Sequence, residues 1–220
     1  MNKKKYILTE LLNHLPYSIF GVCLGIVLTG ILTFIAVLAD IKGMFAVACR
    51  DLFHVFHATH LLLSSVATTA MFWKHDDRNP IKAVTIGGLG SVSICGLSDI
   101  VFPYLGGIFL HNPMEMHICI IEEPGLVLPF VSVGVIAGLT VTRTFEKSTE
   151  YSHSAHVFIS SVASILYLLS YGMTGWVHQL GGVFIVTILA VMIPCCLSDI
   201  AFPLACTHRH CQHTNNRLMS

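Results

Sequence analysis

The sequence predicts an all-α polytopic membrane protein: six transmembrane helices forming two inverted-topology three-helix repeats, with both termini cytoplasmic. Three observations lead there. The 220 residues are 54% hydrophobic and only 11% charged, with mean hydropathy +0.75, whereas a soluble domain carries about 25% charged residues. Basic residues fall almost entirely on one side of the apolar runs. Two polar motifs also recur in the same order in the two halves of the chain.

A helix needs about 20 apolar residues to cross the hydrocarbon. Six segments qualify, roughly 17–39, 53–73, 81–110, 125–142, 155–174 and 180–205. The first follows the Lys-rich start MNKKKYILTELLNHLPYS. Its apolar run from Tyr17 to Ala39 is too long for the core of a signal peptide, and no small-residue cleavage site follows, so it is expected to stay as a span. The third is expected to bend, break or end early at Pro103, Gly106 and Gly107, and the sixth carries the matching Pro203.

Charge supports the count. Lys3, Lys4, Lys5, Lys74, Arg78, Lys82, Arg143, Lys147, Arg209 and Arg217 share one side, and only Lys42 and Arg50 fall on the other. The positive-inside rule then places both termini in the cytoplasm. The resulting organisation is a cytoplasmic segment 1–16, a first repeat 17–110, an extracytoplasmic loop 111–124, a second repeat 125–205 and a cytoplasmic tail 206–220. The loop holds Glu115, Glu122 and Glu123 and no Lys or Arg. A prokaryotic inner membrane is the expected location. Net charge is zero, which gives no reason to expect nucleic acid as a partner. Membrane lipid and a metal ion are the expected partners, and so small a bundle is compatible with a homodimer.

The repeat is carried by polar residues. CGLSDIVFP (95–103) returns as CCLSDIAFP (195–203), and HATHLLLSSVAT (57–68) returns as HSAHVFISSVAS (153–164). Chance likeness between apolar segments yields Leu, Val and Ala matches; here His, Ser, Cys, Asp and Pro recur. Because the unit has three spans, the second copy must thread the membrane in the opposite sense, an architecture known among transporters.

These residues make a transition-metal ligand set. His57 and His60 lie three apart on the second span, with Ser64 on the same stripe, while Cys95 and Asp99 lie four apart on the third. The second copy supplies His153, His156, Ser160, Cys195 and Asp199, and His54 has Glu150 at its offset. A charge at the bilayer centre costs about 2.5–3.5 kcal/mol on insertion scales, so each Asp needs a cation, a proton or a polar cavity. The expected ligands are His57, His60, Cys95, Asp99, His153, His156, Cys195 and Asp199, with Ser64, Ser98, Ser160 and Ser198 accepting from or supporting the imidazoles. Mixed N, O and S donors suit Zn, Fe, Ni, Mn or Cu rather than Mg or Ca. Opposed threading is expected to stack the two sets across the membrane, or to bring the two Asp together near its midplane.

Two further clusters stand outside the repeat. The tail CTHRHCQH offers Cys206, His208, His210, Cys211 and His213, a composition associated with metal binding. The outer loop offers His111, Met114, Met116, His117 and Cys119 to a soft metal. The eight Cys show no pairing pattern, and buried ones pack as small apolar groups.

Read together, these features predict a transporter or channel for a divalent transition-metal cation, with the ion path lined by the repeated His and Asp sets. GGLG (87–90) is a helix glycine cluster and not a phosphate loop. The alternative is an intramembrane hydrolase with a His/Asp-bound Zn, which the symmetric duplication disfavours. A haem-binding electron carrier explains the paired His but not the repeated Asp.

Overall fold

Helix formation follows from long runs of Leu, Ile, Val and Ala whose backbone groups must find partners within the segment if the surroundings are lipid. A computed structural model describes residues 3–75, 79–140 and 149–196, and among them there is helix and loop but no strand. The helices are α1 (Lys3–Leu38), α2 (Lys42–His75), α3 (Pro80–Gly96), α4 (Phe102–Phe109), the short α5 (Cys119–Glu122), α6 (Pro124–Thr140), α7 (Thr149–Ser170) and α8 (Leu180–Val191). A π-helical turn, Leu97–Val101, joins α3 to α4, and another, Met192–Cys196, extends α8.

Among the described residues, four helical segments are long and apolar enough to span a membrane: Leu12–Leu38, Gly43–Trp73, Pro80–Phe109 and Trp176–Pro194. This is the character of a membrane protein. The apolar helices Pro124–Thr140 and Ser154–Ser170 are shorter, at the lower limit of what crosses the hydrocarbon.

Helices α2 and α7 form the centre. From Ser160 to Ser170 every residue of α7 is buried, as expected of a helix enclosed by others. The core holds Phe53 and Leu61 of α2 with Ile165, Leu166, Tyr167 and Leu168 of α7. Helix α1 packs on α7, and α6 packs on α2. Both contacts use paired glycines. A methyl at Gly21 or Gly25 of α1 would lie 3.1 Å from Val157 or Ile165, respectively. On α6, a methyl at Gly134 would lie 2.7 Å from the Leu62 carbonyl, and one at Gly138 would lie 2.7 Å from Thr69 Cβ. Small residues at this spacing let helix backbones approach closely. The 96-residue offset between the His motifs maps Ile165 onto Thr69, so GVCLG (21–25) and GVIAG (134–138) seat on corresponding turns of α7 and α2.

The third apolar run neither breaks nor ends at Pro103. The chain instead inserts a π-turn ahead of it, so that the Phe102 N–H bonds the Leu97 carbonyl five residues back. Proline explains this. It has no N–H for the carbonyl four residues earlier, that of Asp99, and its ring crowds that turn. The wider turn relieves the crowding and frees the Ser98 carbonyl, which accepts from the Ser164 hydroxyl of α7 at 3.0 Å. Such bulges re-aim side chains at functional sites.

One end of the bundle is closed by segment 111–118. Its backbone is tied to the C-terminal end of α7: the Glu115 N–H donates to the Tyr171 carbonyl at 2.8 Å, the His117 N–H to the Tyr167 hydroxyl at 3.1 Å, and that hydroxyl to the Glu115 carbonyl at 3.1 Å. Asn112 donates to Gln179 at 2.8 Å, and Trp176 donates to Thr33 near the end of α1 at 3.2 Å. Arg50 lies over the Tyr171 ring at this same end, 5.2 Å from its centroid.

Candidate functional site

The π-turn delivers Asp99 into the interface of α2 and α7, where it is wholly buried. Oδ2 accepts from His57 Nδ1 at 2.9 Å and from His60 Nδ1 at 2.7 Å. Oδ1 accepts from the Ser98 hydroxyl at 2.8 Å and from the Ser160 hydroxyl at 3.0 Å. A carboxylate takes about four such bonds when ionised. Four partners fill that capacity. Phe53 stacks on His57 with centroids 5.4 Å apart and rings 14° from parallel, which fixes that ring from the other side.

The carboxylate also fixes the tautomers. Because it can only accept, the Nδ1 atoms of His57 and His60 carry the protons, and a neutral His60 then presents a lone pair at Nε2. Facing it is Nε2 of His156 on α7, 3.0 Å away. Two imidazoles bound tetrahedrally to one ion at about 2.0–2.1 Å place their nitrogens about 3.3 Å apart. A histidine held by a carboxylate at one nitrogen and ligating through the other is a recurring arrangement at metal sites.

The expected residues thus fall into three groups. His57, His60, Asp99, Ser98, His156 and Ser160 converge. In this arrangement the Asp99 oxygens are taken up by hydrogen bonds, and Asp99 orients the two imidazoles. Two residues of the second sequence copy lie at this cluster, Ser160 on Asp99 and His156 on His60. Cys95 is wholly buried within the apolar core, and Ser64 is buried on α2. The side chains of His153 and Cys195, together with Ser198, Asp199 and the tail residues Cys206, His208, His210, Cys211 and His213, lie outside the described residues.

A second group forms where the loop meets α2. His54 Nε2 lies 3.2 Å from His117 Nε2, and Cys119 completes a set whose ligand atoms are all within 4.8 Å of one another. Of the other loop residues, His111 and Met116 are exposed, and Met114 packs on Gly107. Glu122 accepts from His117 Nδ1 at 2.8 Å and from the Ile118 N–H at 2.9 Å, and that N–H is the main reason its carboxyl is held below the usual range. Burial pushes the Cys119 thiol up to about 12, so it is protonated at neutral pH until a cation displaces the proton. His54 precedes His57 and His60 by one and two turns of α2, a three-residue periodicity visible in the sequence. Its joining to His117 and Cys119 depends on how the loop folds back over α7, which no local pattern encodes.

No protein-family model, curated protein or solved structure matches the chain. What it does must therefore be argued from the chemistry of these residues.

Proposed function

We propose that the protein is an integral membrane transporter or channel for a divalent transition-metal cation. One observation carries the reading: a buried Asp99 holds the imidazole of His60, whose Nε2 lies 3.0 Å from His156 Nε2 across the α2–α7 interface. An uncompensated anion in an apolar bundle is costly, and a cation between His60 and His156 would compensate it. About ten residues separate Asp99 from the end of α4, or about 15 Å of helix, near half of the roughly 30 Å hydrocarbon thickness. A site at that depth suits an ion in transit.

We further infer six spans in two inverted three-helix repeats, with both termini cytoplasmic. The equivalent seating of α1 on α7 and α6 on α2 supports this, as does the polar repeat. His60 and His156 then come from opposite repeats, and repeat interfaces are where transporters of this architecture bind substrate. Movement of one repeat against the other would open and close the pair.

The test is uptake of Zn²⁺, Fe²⁺, Ni²⁺, Mn²⁺ or Cu ions into proteoliposomes, with metal content measured on the same preparation. Uptake of at least one ion is expected, reduced by Asp99→Asn and by Asp199→Asn. If neither change affects flux, the mechanism is wrong. One observation favours the hydrolase alternative: the described cluster is a single asymmetric gathering of His, Asp and Ser, the parts of a metal-activated water site. Turnover of a lipid ester or amide without ion flux would select it.

A further inference from the structure

We propose that His54, His117 and Cys119 form a second, separate transition-metal site at the loop end of the bundle, one that selects thiophilic or borderline ions such as Zn²⁺ or Cu⁺. The assignment does not depend on transport.

Three elements supply the ligands. His54 projects from α2, His117 sits in the extended loop and Cys119 opens α5. Their ligand atoms lie within 4.8 Å of one another. A tetrahedral site with metal–nitrogen bonds of about 2.0–2.1 Å and metal–sulfur bonds of about 2.3 Å needs about 3.3 Å between nitrogens and about 3.6 Å from nitrogen to sulfur. The histidine nitrogens already stand at 3.2 Å, so closure requires shifts on the order of 1 Å at most.

His117 is held for the task. Its Nδ1 donates to Glu122, its backbone N–H is anchored on Tyr167, and its ring stacks on Tyr171 with centroids 4.8 Å apart and planes 12° from parallel. This leaves Nε2 as the ligating atom, with a carboxylate behind it to raise its basicity. A fourth polar group is at hand. Among the described residues the Tyr171 hydroxyl is buried with no hydrogen-bond partner, and the ring that carries it stacks on His117. A buried polar group left unpaired calls for a partner, and an ion or its water at this group would supply one.

The donor set decides the ion class. One sulfur and two imidazole nitrogens favour Zn²⁺ and Cu⁺ over the hard cations Mg²⁺ and Ca²⁺, which take oxygen. Binding forms a metal–sulfur bond and releases the Cys119 proton to solvent, with no change of oxidation state.

Co²⁺ is the probe, because thiolate ligation gives it a charge-transfer absorption in the near ultraviolet. The experiment uses the full chain in detergent with Cys206→Ser and Cys211→Ser, so that tail thiols do not contribute. One equivalent of Co²⁺ is expected to develop the thiolate band, and excess Zn²⁺ is expected to bleach it. Cys119→Ser should abolish the band, whereas Asp99→Asn should retain it. Glu122→Gln alters an exposed carboxylate and should weaken Co²⁺ binding about 10–100-fold while leaving the band at saturation. Absence of the band from the parent, or its full retention in Cys119→Ser, overturns the site. If Cys119→Ser does not give a monodisperse protein, Glu122→Gln decides: undiminished affinity overturns the proposal.

Discussion

Replacing Asp99 with Asn exchanges one oxygen for an N–H₂ group and reverses the polarity of half the group. The carboxylate accepts at 2.9 and 2.7 Å from two imidazoles through one oxygen, and at 2.8 and 3.0 Å from two hydroxyls through the other. An amide has one accepting oxygen. If it faces the imidazoles, the amide N–H₂ faces Ser98 and Ser160, whose hydroxyls must turn to accept. Ser98 has another acceptor, the Cys95 carbonyl at 3.2 Å. Hydrogen bonds to a charged group contribute about 1.5–3 kcal/mol each and neutral ones about 0.5–1.5. Two imidazole bonds therefore weaken by about 1 kcal/mol each, and two hydroxyl bonds are re-formed in poorer geometry, for a loss of about 2–4 kcal/mol in stability. Function should suffer separately. Losing the carboxylate behind a ligating histidine costs about 10–100-fold in metal affinity. The assay pairs thermal unfolding in detergent with Zn²⁺ titration against a chromophoric chelator, in a Cys119→Ser background that silences the loop-end group. Wild-type affinity in a variant of reduced stability would show that Asp99 is only a structural knot and would refute the reasoning.

Three more outcomes are expected. Gly138→Ala should lower stability by about 1–3 kcal/mol, since its methyl would lie 2.7 Å from Thr69 Cβ and from the Val66 carbonyl, whereas Gly30→Ala, with nothing within 4 Å, should be neutral or stabilising; thermal unfolding compares them. Because burial keeps the Cys119 thiol protonated at neutral pH, binding at the loop-end group near and above neutral pH displaces that one proton. Its apparent affinity should thus rise about tenfold per pH unit, and calorimetry in buffers of different ionisation heat should count the proton. Met116→Cys, at an exposed position of the loop, should react with a membrane-impermeant thiol reagent from outside intact cells; protection there would contradict the proposed orientation.

The convergence at Asp99 was legible because two short-range rules sufficed. Residues three apart on a helix share a face, which paired His57 with His60, and a carboxylate in an apolar run must find donors, which tied both to Asp99. Ser160 and His156 were legible as repeated residues, but the meeting of Ser160 with Asp99 and of His156 with His60 was not, since the expectation kept each copy's ligands together. The paired glycines were overlooked because Gly is common in membrane helices; GVCLG and GVIAG gain meaning only when their partners, Ile165 and Thr69, prove equivalent. The π-turn hid behind Pro103, which signals disruption without saying what form it takes. The His54–His117–Cys119 group was half seen. Its loop members stood out as soft ligands, but His54 was matched by offset to Glu150, and only the pinning of the loop to Tyr167 and Tyr171 brings them together.

The two histidine pairs to which α2 contributes, His54–His117 and His60–His156, would have an electrical consequence in an ion path. His54 and His60 are six residues apart, about 9 Å along the helix axis, or about three tenths of a 30 Å hydrocarbon layer. A divalent ion passing from the first pair to the second would cross about that fraction of the membrane potential. At about 2.3 kcal/mol per charge per 100 mV, the step is worth about 1.4 kcal/mol, a tenfold bias in occupancy. Voltage alone would then distribute ions between the pairs, and reversing its sign would move the preferred resting place from one end of the ladder to the other.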